Sequence, residues 1–247
     1  MGRLSVLGIW SMTGLLTAAG CSDRPVSPYS TEVESAPIQV ERISPDNGLR
    51  GAAVFECESG ESIWVRFEDE EQRLIVRRET GAMLELPLQE RAEFEIYTDG
   101  NVQLAVGPGE AIMTSGGGET NCRGASRPLD PPRIAGATQD LRQTDDASTI
   151  ELAVGDVFSV SLVGVPTAGY QWSATDLPSE LEIAGEAGGP TSTAQYLPGF
   201  AGGNHWEVFA FRALTAGTNE LVLEQRRPFE DSDEAPADRF SITVVVR

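Results

Sequence analysis

The chain contains no lysine: all 18 of its basic residues are arginine. That excludes Schiff-base chemistry, P-loop nucleotide binding and lysine-dependent phosphoryl transfer. Histidine occurs once, at His205, and cysteine three times, so neither a multi-histidine metal site nor a four-cysteine zinc site can be built. Positive charge is scarce altogether, with 38 acidic side chains and a formal net charge of −20. Phosphate backbones repel such a chain, so no nucleic-acid partner is expected. His205 has no evident nucleophile partner, so neither an enzyme, a cofactor nor a metal is expected. Aromatics make up only 7% of the chain, yet 40% of its 247 residues are hydrophobic. That is enough for folded cores in one large or two small domains.

The N-terminus reads as a targeting segment. Arg3 supplies the positive end, residues 4–16 are mostly apolar, and Ala18, Ala19 and Gly20 lead into Cys21. The apolar stretch is as long as a signal core and too short to span a bilayer as a stable helix. A small-residue run ending in cysteine resembles a bacterial lipobox, which implies cleavage after a signal at 1–20 and acylation of Cys21. An ordinary secretory signal with an incidental Cys21 is the alternative. Two or three acyl chains, at about 0.8 kcal/mol per buried methylene, would anchor the protein to a lipid bilayer. Ser22 after Cys21, in place of an acidic residue, favours the outer membrane of the envelope by analogy with lipoproteins.

Export implies an oxidising compartment. With Cys21 lipidated, Cys57 and Cys122 remain as an even pair and are expected to form a disulfide, contributing roughly 4 kcal/mol by loop entropy. Two free buried thiols are the alternative.

Residues 21–42 hold Pro25, Pro28 and Pro37 and few large apolar side chains, as a tether would. Residues 125–147, with Pro128, Pro131 and Pro132, read as an interdomain linker. Two folded units remain, 43–124 and 148–247, and each carries a net charge of −9, so neither is a basic interaction arm. Both alternate with a period of two: Ile63, Val65 and Phe67; Leu84, Leu86 and Leu88; Val102, Leu104 and Val106; then Phe158, Val160 and Leu162; Leu221 and Leu223; and Phe240, Ile242, Val244 and Val246. Such runs, separated by Gly, Pro and Asp, predict antiparallel sheets with one buried face, hence two all-β domains, each a barrel or a sandwich.

Three segments of the second unit are unusual for turns. Val165-Pro166-Thr167-Ala168-Gly169-Tyr170-Gln171-Trp172 places a Pro/Gly bend before two aromatics. Pro198-Gly199-Phe200-Ala201-Gly202-Gly203-Asn204-His205-Trp206 is glycine-rich. Arg226-Arg227-Pro228-Phe229-Glu230 sets a cation and an aromatic around a proline. In this order they resemble the N-P-T-T-G-Y-x-W, G-x-G-G and R-P-W motifs of the chagasin-type inhibitors of papain-like cysteine peptidases. The resemblance covers 148–247 and implies an immunoglobulin-like β-sandwich whose three loops plug a peptidase cleft. The residues it assigns to the peptidase are Pro166, Thr167, Ala168, Gly169 and Tyr170, then Gly199, Gly202 and Gly203, then Arg227, Pro228 and Phe229. Three positions depart from the pattern: Val165 replaces an asparagine able to brace the loop, Ala168 a threonine, and Phe229 a tryptophan with its N–H donor. Trp172 is expected in the core, His205 as a residue without chemistry, and the acidic run that opens at Glu230 as a solvated loop.

The first unit resembles, more loosely, the membrane-bound and periplasmic inhibitors of c-type lysozyme. It opens with Val54-Phe55-Glu56-Cys57-Glu58-Ser59-Gly60, carries Tyr97 near its middle and ends at Cys122. The resemblance implies a small β-barrel. The family's A-S-G positions hold Ala92, Glu93 and Phe94 here, and its essential lysine falls near Val106 in a chain without lysine. The fold is therefore expected without the family's charge pairing; Arg91 could stand in for the lysine, but nothing in the sequence shows that it does. The expectation is an envelope lipoprotein that inhibits papain-like cysteine peptidases; the alternatives are a non-inhibitory binding lipoprotein and a dual inhibitor that also binds c-type lysozyme.

Overall fold

The computed structural model describes residues 40–41, 49–229 and 234–247. The signal segment, Cys21, nearly all of the tether and residues 230–233 of the acidic run lie outside the described residues.

A two-residue strand, β1 (Val40–Glu41), precedes eight strands that close into a barrel. These are β2 (Ala53–Cys57), β3 (Ser62–Glu68), β4 (Arg73–Arg78), β5 (Met83–Glu90), β6 (Glu95–Thr98), β7 (Val102–Gly107), β8 (Glu110–Ser115) and β9 (Gly118–Ala125). Each runs antiparallel to the next, and β9 returns to pair with β2. Phe55, Ile63, Val65, Leu74, Val76, Leu86, Tyr97 and Leu104 are each at most 1% exposed and fill the interior. Eight strands leave room for side chains and little else. Cys57 and Cys122 are register partners on β2 and β9, and their disulfide crosses the seam where the barrel closes.

The remaining strands are β10 (Arg133–Ile134), β11 (Ala137–Arg142), β12 (Thr149–Leu152), β13 (Val157–Gly164), β14 (Gln171–Ala174), β15 (Leu181–Pro190), β16 (His205–Ala213), β17 (Gly217–Arg226) and β18 (Asp238–Val246). β10 pairs with β1, and the others form two four-stranded sheets, β11-β13-β16-β15 and β12-β18-β17-β14. The sheets share one core. Phe158, Val160, Leu162 and Phe211 come from the first sheet, and Trp172, Leu221, Leu223, Phe240, Ile242 and Val244 from the second. The rings of Phe158 and Phe211 stack with centroids 5.4 Å apart. The alternating runs found in the sequence supply most of these residues, because period-two spacing sends every second side chain to one face.

The stretch 125–147, expected as a linker, is instead built into the fold. β11 is an edge strand parallel to β13. Upstream of it, Leu129, Pro131, Pro132 and Ile134 are buried. Ile134 packs with Val208 and Ala210 on the face of the first sheet away from the core. The prolines point to a spacer because proline cannot donate to a ladder; here Pro131 and Pro132 are buried as apolar side chains, while Pro128 stays exposed.

Candidate functional site

Strand register gathers the three unusual loops at one end of the two sheets. Gly164, which closes β13, faces His205, which opens β16, so the first and second loops emerge side by side. Gln171, which opens β14, faces Arg226, which closes β17, so the first and third loops also meet.

The first loop is short and internally bonded. Pro166–Ala168 form a single 3-10 turn with Pro166 at its start. The amides of Ala168 and Tyr170 donate to the Val165 carbonyl at 2.9 and 3.2 Å, and the amide of Gly169 donates to the Pro166 carbonyl at 2.9 Å. Gly169 turns the chain back with φ of 82°, in the left-handed region that glycine enters without strain. Pro166, Thr167 and Ala168 are exposed at the tip.

The third loop grips the first. Arg227 Nε donates to the Ala168 carbonyl at 3.0 Å, and the guanidinium lies 4.2 Å from the centre of the Tyr170 ring. A Cβ on Gly169 would come 3.4 Å from the Phe229 ring, so that ring lies against the first loop while remaining 77% exposed. A large aromatic left this open is unusual in a folded domain, and interfaces use such side chains as anchors.

The second loop, 198–204, is exposed at its glycine-rich tip, with Gly199, Gly202 and Gly203 all at positive φ. Gln195 ties its two feet together. The Gln195 side-chain oxygen accepts from the Thr191 amide at 2.6 Å, and its Nε2 donates to the Asn204 carbonyl at 2.9 Å.

Trp172 lies in the core, 4% exposed, and its indole N–H donates to the Val163 carbonyl at 3.0 Å. Glu207 lies outside all three loop motifs, yet it braces the first loop. Its Oε2 accepts the Trp172 amide at 2.8 Å, at the exit of the first loop. Its side chain also lies over Gly164 at the entry, where a Cβ would fall 1.7 Å from Oε1. Glu207 therefore spans both feet of the loop. Burial pushes its carboxyl above the usual carboxylate range, a shift that the Trp172 amide and His205 oppose and Glu186 reinforces. A signal was present in the sequence: Glu207 shares the period-two stripe of Phe209 and Phe211, the only acid on that apolar face of β16.

In the barrel, the position expected to correspond to the lysozyme-inhibitor lysine points inward. Val106 is 3% exposed and belongs to the barrel core. The Phe94 ring covers the neighbouring Gly107, where a Cβ would lie 2.9 Å from it.

Residues 151–244 match the family model of the Chagasin family peptidase inhibitor I42, a span that contains all three loops. No curated protein matches the chain significantly. Among solved structures, the cysteine protease inhibitor EhICP2 from Entamoeba histolytica is 20% identical across 45% of this chain and 100% of its own, with a TM-score of 0.38. Amebosin is 24% identical across 44% of this chain and 97% of its own, with a TM-score of 0.36. Domains 4 and 5 of the S-layer protein SbsC are 9% identical across 85% of this chain and 99% of theirs, with a TM-score of 0.22. The family match supports a protease inhibitor, a class that acts by binding and not by catalysis. It does not reach the barrel, and nothing in these comparisons supports the lysozyme-inhibitor resemblance.

Proposed function

We propose that this protein inhibits papain-like cysteine peptidases by seating the three loops in the active-site cleft. The observation that carries the proposal is the pairing of a self-bonded first loop with an exposed Phe229 beside it, inside a segment that matches a peptidase-inhibitor family. The two packed sheets would act as an immunoglobulin-like frame for the loops. A loop already closed by its own hydrogen bonds loses little conformational entropy on docking. Thr167, at its exposed tip, would present a hydroxyl and backbone groups to the catalytic cysteine and histidine. Arg227 and Phe229 would line one wall of the cleft, and Gly199, Gly202 and Gly203 would lie along the other.

Val165 lacks the side-chain brace of the family asparagine. Two features compensate for it: the Arg227 bond to the Ala168 carbonyl and the Glu207 bond to the Trp172 amide. Acylation at Cys21 would hold this activity at the bacterial envelope.

Titration of active-site-calibrated papain with the full chain tests the proposal. Stoichiometric loss of peptidase activity, with the inhibitor recovered uncleaved, is the expected result. Papain that keeps full activity against a micromolar excess would refute it.

A further inference from the structure

We infer that the β-barrel is a working part of the inhibitor, serving as the seat that holds the second loop in position. This rests on the inhibitor proposal for its purpose and on separate geometry for its existence.

The connection from Pro190 to His205 does not swing freely between two strands of the sheet. Its first half is bonded to the segment leaving the barrel. Thr193 is 3% exposed, and its hydroxyl donates to the Ala125 carbonyl at 2.8 Å while accepting the Arg127 amide at 2.9 Å. The Thr193 amide donates to the Arg127 carbonyl, and the Leu129 amide donates to the Thr191 carbonyl. One hydroxyl thus satisfies an acceptor on the last residue of β9 and a donor two residues beyond it, a demand that buried polar groups impose.

The next residues lie on the barrel. Leu197 packs against the barrel core, and its methyls occupy the place where a Cβ on Gly124 of β9 would stand, at 2.6 and 2.8 Å. Only glycine at 124 lets the side chain approach this closely. Gly199, the first glycine of the loop, meets Pro108 in the β7–β8 turn, where a Cβ would come within 3.4 Å. The barrel end of this strap is fixed in turn. Arg127 reaches Glu56 at 3.1 Å and the Ser62 hydroxyl at 2.9 Å, and its guanidinium covers the Trp64 ring at 5.5 Å.

A glycine-rich tip is costly to order on binding, and that cost falls when its foot is fixed beforehand. The barrel supplies this fixation through its contacts with Leu197 and Gly199. A purpose for the barrel also follows that needs no lysine and no lysozyme. Thr193 and Leu197 are positioning residues, since both act through the loop they anchor.

The test compares the full chain with Thr193→Val, Leu197→Ser and the hydroxyl-preserving Thr193→Ser. One readout is the rate at which thermolysin nicks the loop near Phe200 in the free protein. The other is dissociation from papain. Thr193→Val and Leu197→Ser are expected to raise both rates, dissociation by about tenfold, with association nearly unchanged. Thr193→Ser is expected to track the parent, which separates loss of the hydroxyl from general disruption of the site. Equal nicking rates in all four proteins overturn the seat. Faster nicking with unchanged dissociation overturns its role in inhibition. If the parent chain fails to inhibit papain at all, the inhibitor proposal falls, and the nicking comparison still decides whether the barrel holds the loop.

Discussion

The Arg227 guanidinium lies over the Tyr170 ring, 4.2 Å from its centre, and the same side chain donates from its Nε to the Ala168 carbonyl. Two loops far apart in sequence are joined by this one residue. Arg227→Ala should weaken papain inhibition by about ten- to thirtyfold, since both the clamp and a cation at the cleft wall are lost. Arg227→Lys should recover little, because an ammonium cannot stack over the ring and reach the carbonyl with a planar fork. Inhibition constants for the three proteins check this.

Phe229 separates binding from folding. With 77% of its surface exposed, it contributes little to the fold. Phe229→Ala should shift unfolding free energy by less than about 0.5 kcal/mol. Its inhibition constant should nevertheless rise by about thirtyfold, as for an aromatic anchor. Chemical denaturation and papain titration on the same preparation measure both quantities.

Gly164 and Glu207 should be energetically coupled. A methyl at 164 would displace the Glu207 carboxylate from the Trp172 amide. Gly164→Ala alone should cost ~2 kcal/mol through overpacking. Combined with Glu207→Ala, which clears the space, it should cost less than the sum of the two by at least ~1 kcal/mol. A double-mutant cycle of urea unfolding provides the measurement.

Glu207 also predicts a pH dependence. Burial raises its carboxyl pKa in the folded chain, so the folded state holds this proton more firmly than the unfolded state does. Its contribution to stability is therefore greatest below the ordinary carboxylate pKa and declines as pH rises through the window up to the raised value. Glu207→Gln removes the titration while its side-chain oxygen can still accept the Trp172 amide. The stability difference between variant and parent should grow in the variant's favour across that window. Parallel stability curves would contradict the assignment.

Much of the fold was written in the period-two runs, since Val160, Leu104 and Ile242 sit where alternation puts them. The three loops were legible from their Pro, Gly and aromatic punctuation, and the register of β13, β14, β16 and β17 brings them to one end. β15 was not legible: Leu-Glu-Ile-Ala-Gly-Glu-Ala-Gly-Gly-Pro has small residues where alternation needs large ones, and it is a strand because β16 pairs along its length. The docked stretch before β11 was hidden by its prolines. The seat under the second loop was hidden because Leu197 and Gly124 lie far apart in sequence, and neither is unusual until they meet.

Occlusion of the peptidase cleft can be tested by measuring binding of the full chain to papain whose catalytic cysteine already carries a bulky, cleft-filling covalent blocker. Loops that occupy the cleft predict loss of binding to blocked papain, with tight binding retained by the unblocked enzyme. Equal affinity for the blocked and unblocked forms would contradict cleft occlusion.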